Sequence, residues 1–126
     1  MYEITIENTF DAAHCLRDYS GACRNLHGHT YRVSARLRFA ELDDSGMALD
    51  FRKAKEALRA ATDYLDHTYM NELPEFSFHN PTAENIARFI FERIKAEQPQ
   101  LKSVSVWETA TSCATYYEDD CLDPSF

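Results

Sequence analysis

The chain has 126 residues, a net charge of −8 at pH 7 and four cysteines. One domain of this length buries a modest core but is small for an enzyme that must surround a substrate, which favours a site shared between subunits. The acidic balance argues against a nucleic-acid surface, since phosphate contacts need clustered Lys and Arg. No apolar run approaches membrane-spanning length, and Met1-Tyr2-Glu3-Ile4 lacks the charged and apolar regions of a signal peptide. A cytoplasmic protein is expected, with Cys15, Cys23, Cys113 and Cys121 as free thiols. Repeats, low-complexity segments and Pro- or Gly-rich linkers are absent, so one domain spans residues 1–126.

In chain order, Tyr2 to about Asn8 alternates apolar and polar residues as a half-buried strand requires. Even positions keep that parity through Phe10, Ala12 and His14. The pattern breaks from Cys15 to Leu26, where Asp18-Tyr19-Ser20-Gly21 reads as a turn. A second strand runs from about His29 to Phe39, apolar at odd positions, with Arg32, Ser34, Arg36 and Arg38 on a solvated or helix-capping face. Asp50 caps a helix whose apolar stripe is Phe51, Ala54, Leu58, Ala61 and Leu65, ending near Asp66-His67. A second helix starts at Asn80 or Thr82, carries Glu84 in its first turn and Ile86, Phe89, Ile90 and Ile94 on one face, and stops before Gln98-Pro99. Ser103 to Thr109 alternates as a third strand and Ala114 to Tyr117 forms a fourth; the acidic tail from Glu118 to Phe126 is expected to be loose. The order β-β-α-α-β-β predicts an α+β fold, an antiparallel sheet covered on one face by two helices. Its two open edges favour a homo-oligomer.

The chemistry concentrates in Cys23-Arg24-Asn25-Leu26-His27-Gly28-His29. Side chains two apart on a strand share a face, so His27 and His29 form an imidazole pair, and His14 joins them by parity on the core side of the neighbouring strand. Three neutral imidazoles suit a catalytic zinc with one open position, whereas a closed structural site would need Cys23 or Cys15 as a fourth ligand. Glu108 continues the inward parity of Val104 and Val106, where a carboxylate needs a partner, unless the strand ends at Trp107 and leaves it solvated. Asp66 and His67 either terminate the helix or place an imidazole where the helix C-terminus favours its charge.

Together these residues resemble the 6-pyruvoyl-tetrahydropterin synthase family. Ala12-Ala13-His14, Cys23-x-x-x-His27-Gly28-His29, Asp50-Phe51, Leu65-Asp66-His67, Asn80-Pro81-Thr82-Ala83-Glu84-Asn85 and Trp107-Glu108-Thr109 stand in the family's order and spacing, from Phe10 to about Tyr117. The resemblance implies the tunnelling fold, in which subunits join their sheets into a barrel, usually as a hexamer of two trimeric rings. It also implies zinc on His14, His27 and His29.

The three-residue gap between Cys23 and His27 looks like the bacterial branch, 6-carboxytetrahydropterin synthase of the queuosine and 7-deazapurine pathway. That branch implies conversion of 7,8-dihydroneopterin triphosphate to 6-carboxy-5,6,7,8-tetrahydropterin with release of acetaldehyde and triphosphate. Zinc would bind the substrate's side-chain hydroxyls as a Lewis acid. Cys23 would move a proton as thiolate on one face, and His67, oriented or charged through Asp66, would act as acid and base on the other. Adjacent helical residues do not face each other, so Asp66 and His67 are expected to meet beyond the last helical turn. Glu108, assisted by Thr109, would hold the pterin's amino and ring N–H groups. Cys23 and the Asp66-His67 pair would come from different subunits. Other outcomes are formation of 6-pyruvoyl-tetrahydropterin without carbon loss, and a zinc-binding assembly module without turnover. Arg17 and Arg24 lie near the motif, but no residue is assigned to the triphosphate.

Overall fold

A computed structural model describes residues 1–19, 21 and 24–119. These form strands β1 (Tyr2–His14) and β2 (His27–Phe39), helix α1 (Phe51–Leu65), a two-residue strand β3 (Thr68–Tyr69), helix α2 (Ala83–Glu97), and strands β4 (Leu101–Thr109) and β5 (Ser112–Tyr117). The sheet order is β3-β1-β2-β4-β5. The long pairs are antiparallel, whereas β3 lies parallel to β1 and covers only Ala12 and Ala13. The sheet is therefore mixed rather than purely antiparallel. The chain leaving α1 runs alongside β1 for two residues, a length too short to leave a periodic signal.

Both helices pack on one face of the sheet. The pleat turns Ile4, Ile6, Phe10, Ala12 and His14 of β1 inward, with Tyr31, Val33, Ala35 and Leu37 of β2 beside them. In β4 the register shifts opposite Arg36 and Leu37, so Leu101 and the even-numbered Val104 and Val106 all reach the same core despite their opposite parity. Asp50 caps α1 by accepting from the Arg52 N–H at 2.9 Å. The buried face of α1 is Ala54, Ala57, Leu58, Ala61, Thr62 and Leu65. Phe51, expected in that stripe, is instead 60 % exposed, because the first helical turn overhangs the edge of the core. Thr82 rather than Asn80 caps α2, accepting from the Asn85 N–H at 3.1 Å.

On the outer face the arginines of β2 pair with acidic residues of β1. Arg38 reaches Glu3 at 3.1 Å and Arg32 reaches Glu7 at 3.4 Å, with the Arg32 guanidinium 4.4 Å from the centre of the Trp107 ring. Glu118 departs from the loose tail expected of it. Its N–H donates to the Lys102 carbonyl at 2.9 Å, and the ammonium groups of Lys102 and Lys95 hold its carboxyl down to about 2. Residues 120–126, with Cys121, lie outside the described residues. Among the described residues no helix is long and apolar enough to cross a membrane.

Candidate functional site

Register decides where the three histidines meet. His14 of β1 is directly opposite His27 of β2, and Ala12 is opposite His29, so the three inward imidazoles converge at one end of the sheet. Their candidate ligand nitrogens all lie within 4.8 Å of one another. His14 Nδ1 donates to the Pro81 carbonyl at 2.7 Å and His27 Nδ1 donates to the Asn25 carbonyl at 2.6 Å. A carbonyl only accepts, so each bond fixes the tautomer with its proton on Nδ1 and a bare lone pair on Nε2.

Those two Nε2 atoms then face each other at 3.0 Å. Two lone pairs at that separation repel unless something positive sits between them. Protonating His14 is no remedy, because burial pulls its pKa down. The third nitrogen, His29 Nε2, is buried with no hydrogen-bond partner. An unmet buried polar nitrogen is expensive, and a divalent cation satisfies it together with the facing pair. Ligands about 2.0–2.1 Å from a tetrahedral ion stand roughly 3.3 Å apart, close to the separation of the two facing nitrogens. The donor set fits a metal, and carbonyl-anchored imidazoles are how proteins orient metal-binding histidines.

Glu108 points inward, as its parity indicates, with 31 % of its side chain exposed. One carboxylate oxygen lies 3.3 Å from His14 Nε2 and 3.8 Å from His29 Nε2. Thr109 is exposed at the β4–β5 turn, where its hydroxyl accepts from the Thr111 N–H at 3.4 Å. Cys23 lies outside the described residues. Arg17 is committed to main-chain carbonyls, donating to His79 at 3.2 Å and also to Phe76.

Asp66 and His67 follow α1 directly. Asp66 closes the helix, and His67 adopts a left-handed backbone with φ +56°. That turn brings Asp66 Oδ2 to 2.8 Å from His67 Nδ1, beyond the last helical turn. The bond raises the imidazole's pKa, while the Asp11 N–H and the imidazole together lower that of the Asp66 carboxyl. His67 opens onto a shallow depression of about 610 Å³ bordered by Asp11, Gly28, Thr30 and Tyr69. Asp11 and Thr30 occupy the outward pleat of β1 and β2, while His29 of the trio borders the same depression, so the two groups of side chains adjoin there.

Several supporting residues have roles that the sequence does not reveal. Asn71 mimics a strand partner for Cys15, accepting from its N–H and donating to its carbonyl, each at 2.9 Å. Asn80 does the same for Arg17 at 2.9 Å in both directions. These two clamps fix the chain leaving His14 against the loop that carries Pro81. The Asn80-Pro81-Thr82 run, read from the sequence as a helix start and a family motif, thus also delivers the carbonyl that orients His14.

Residues 3–119 match the profile described as 6-pyruvoyl tetrahydropterin synthase. The chain belongs to this family. Among its relatives, the 6-carboxy-5,6,7,8-tetrahydropterin synthase of Synechocystis sp. is 40 % identical, over 93 % of this chain and 94 % of that protein. The protein of the same name from Haemophilus influenzae is 37 % identical, over 94 % of this chain and all of that one. The solved structure of Caenorhabditis elegans 6-pyruvoyl tetrahydropterin synthase superposes with a TM-score of 0.83 at 30 % identity, covering 94 % of this chain and 98 % of that one. The tunnelling-fold subunit expected from the sequence is therefore the family's own, with β3 as an edge strand absent from the expected β-β-α-α-β-β order.

Proposed function

We propose that the protein is a zinc-dependent lyase that converts 7,8-dihydroneopterin triphosphate to 6-carboxy-5,6,7,8-tetrahydropterin, releasing acetaldehyde and triphosphate, as a step toward queuosine and other 7-deazapurines. The observation that carries this reading is the trio of convergent imidazoles, two of them with a bare nitrogen facing the other, in a chain whose bacterial relatives bear that name. His14, His27 and His29 would hold the zinc. When bound there, it supplies Lewis-acid polarisation of the substrate's side-chain hydroxyls.

The chain's own groups do the rest. Glu108 accepts charge-assisted hydrogen bonds from the pterin's amino and ring N–H groups, which orients the ring with its side chain toward the histidines. Thr109, at the adjoining turn, assists at the ring's edge. Cys23 takes a proton as thiolate on one face of the reacting carbons, and His67 gives and takes one on the other. The Asp66 carboxylate keeps the His67 ring oriented and favours its protonated form, so that this ring serves as the acid. The family resemblance implies that Cys23 and the Asp66–His67 pair come from different subunits, so a complete site calls for a neighbouring copy. A homo-oligomer with sites between subunits, of the hexameric kind the family uses, meets that need.

Incubation of the zinc-loaded protein with 7,8-dihydroneopterin triphosphate, followed by mass analysis of products, tests the reading. Acetaldehyde and the 6-carboxy product in equal amounts are expected. Formation of 6-pyruvoyl-tetrahydropterin without acetaldehyde would reassign the reaction.

A further inference from the structure

We infer that Asp11 is the positioning residue of the Asp66–His67 pair, gripping both through its main chain and facing the imidazole with a carboxylate that Thr30 holds in place. The inference rests on the reading of His67 as the acid–base group and adds the residue that sets its geometry and charge. Main-chain contacts come first. The Asp11 N–H donates to Asp66 Oδ1 at 2.9 Å, and the Asp11 carbonyl accepts from the His67 N–H at 2.6 Å. One residue of a long, doubly paired strand thus grips the two consecutive residues that carry the acid–base function.

That grip explains the backbone. A non-glycine residue at φ +56° is uncommon and persists only where its surroundings impose it. Here the carbonyl of Asp11 imposes it, by holding the His67 amide against the sheet edge just before β3 begins. The Asp66 carboxylate is divided accordingly, with Oδ1 on the strand and Oδ2 on the ring.

The side chain adds a separate contribution. The Thr30 hydroxyl, directly across the β1–β2 pair, donates to Asp11 Oδ1. So held, the Asp11 carboxylate lies within 4.8 Å of the ligand-type atoms of Asp66 and His67. The groups facing the ring are Asp66 from the end of α1, Asp11 from β1, Thr30 from β2 and Tyr69 from β3, with His29 at the far side of the same depression. Tyr69 is engaged elsewhere, its hydroxyl 3.0 Å from Cys15 Sγ. Two carboxylates and no cation among the described residues therefore border the His67 ring, and a second negative charge favours its protonated state beyond what Asp66 alone provides.

The test reads the ring directly. In the full-length, zinc-loaded protein carrying 13C at histidine Cε1, the His67 resonance is followed against pH in wild type, Asp11→Asn, Asp11→Glu and Thr30→Val. Asp11→Asn keeps every main-chain bond and can still accept from Thr30, so only the charge is lost. Its His67 midpoint is expected to fall by about half a pH unit, an exposed pair being well screened. Thr30→Val, which frees the carboxylate to swing away, moves the midpoint the same way by less, and Asp11→Glu restores most of it. Midpoints unchanged in both Asp11→Asn and Thr30→Val overturn the inference. A midpoint that falls while the pH profile of kcat stays put upholds Asp11's hold on the ring and removes His67 from the reaction instead, so the two failures are distinguishable.

Discussion

The histidine trio and the single His67 with its carboxylates are built on opposite plans. His14 is 1 % exposed and hydrogen-bonded to a main-chain carbonyl, whereas the His67 side chain is 78 % exposed and bonded to a carboxylate. A carbonyl fixes which nitrogen bears the proton without adding a charge, so the ring stays neutral and its other nitrogen stays a ligand. A carboxylate stabilises the imidazolium, so the ring becomes a proton reservoir. The same side chain is held as a neutral lone-pair donor or biased toward the imidazolium by the charge of its Nδ1 partner and by water's access to it.

The largest effect should come from breaking the neutral cluster. His27→Ala leaves His14 and His29 without their third member, and zinc retained after gel filtration is expected to fall from near one per chain to under about a tenth, with turnover lost alongside. His67→Gln attacks only the charged cluster. Turnover should drop roughly 10²- to 10⁴-fold, the usual worth of a positioned acid or base, while zinc content holds at the wild-type level. Loss of zinc in that variant would show that the two plans are not separate.

A smaller effect is expected at the support of His14. Asn80→Ala removes both bonds to the Arg17 main chain, which should cost about 1–3 kcal/mol in denaturant unfolding and weaken zinc retention without abolishing it. The smallest effect is electrostatic and lies at the charged cluster. Asp66 holds the His67 pKa above its ordinary 6.5, so the folded protein binds this proton more tightly than the unfolded chain does. The stabilisation is full below pH 6.5 and fades as pH rises through the higher folded value. Thermal melts of wild type and His67→Gln should therefore differ most at mildly acidic pH and converge at alkaline pH.

Much of the neutral cluster was legible because strand parity reports on side chains. Phe10, Ala12 and His14 keep the inward phase of Ile4 and Ile6, and His27 and His29 keep that of Tyr31 and Val33, so convergence followed from pleat and pairing alone. Glu108 was legible in the same way, its phase set by Val104 and Val106. The partners that make these residues work were not. Pro81 and Asn25 act through carbonyls that every residue possesses, and Asn71 and Asn80 act by imitating main chain. The brief β3 and the bulge that brings Leu101 into phase with Val104 are decided by tertiary packing, which overrides local pattern. Arg17, close in sequence to the histidines and attractive as an anion-binding residue, is consumed in holding a loop together.

Asp11 and His14 ride on the same strand three positions apart, and the pleat sends one outward to the His67 cluster and the other inward to the histidine trio. Sliding β1 by a single residue against β2 would exchange its two faces wholesale, burying the aspartate and turning the histidine to solvent. Both half-sites would fail together in any such misaligned copy, within its own boundaries and at the junctions it forms with neighbours. Alignment of this one strand thus acts as a common checkpoint, and a population of chains should sort into fully competent and wholly inert members, with no half-working class between.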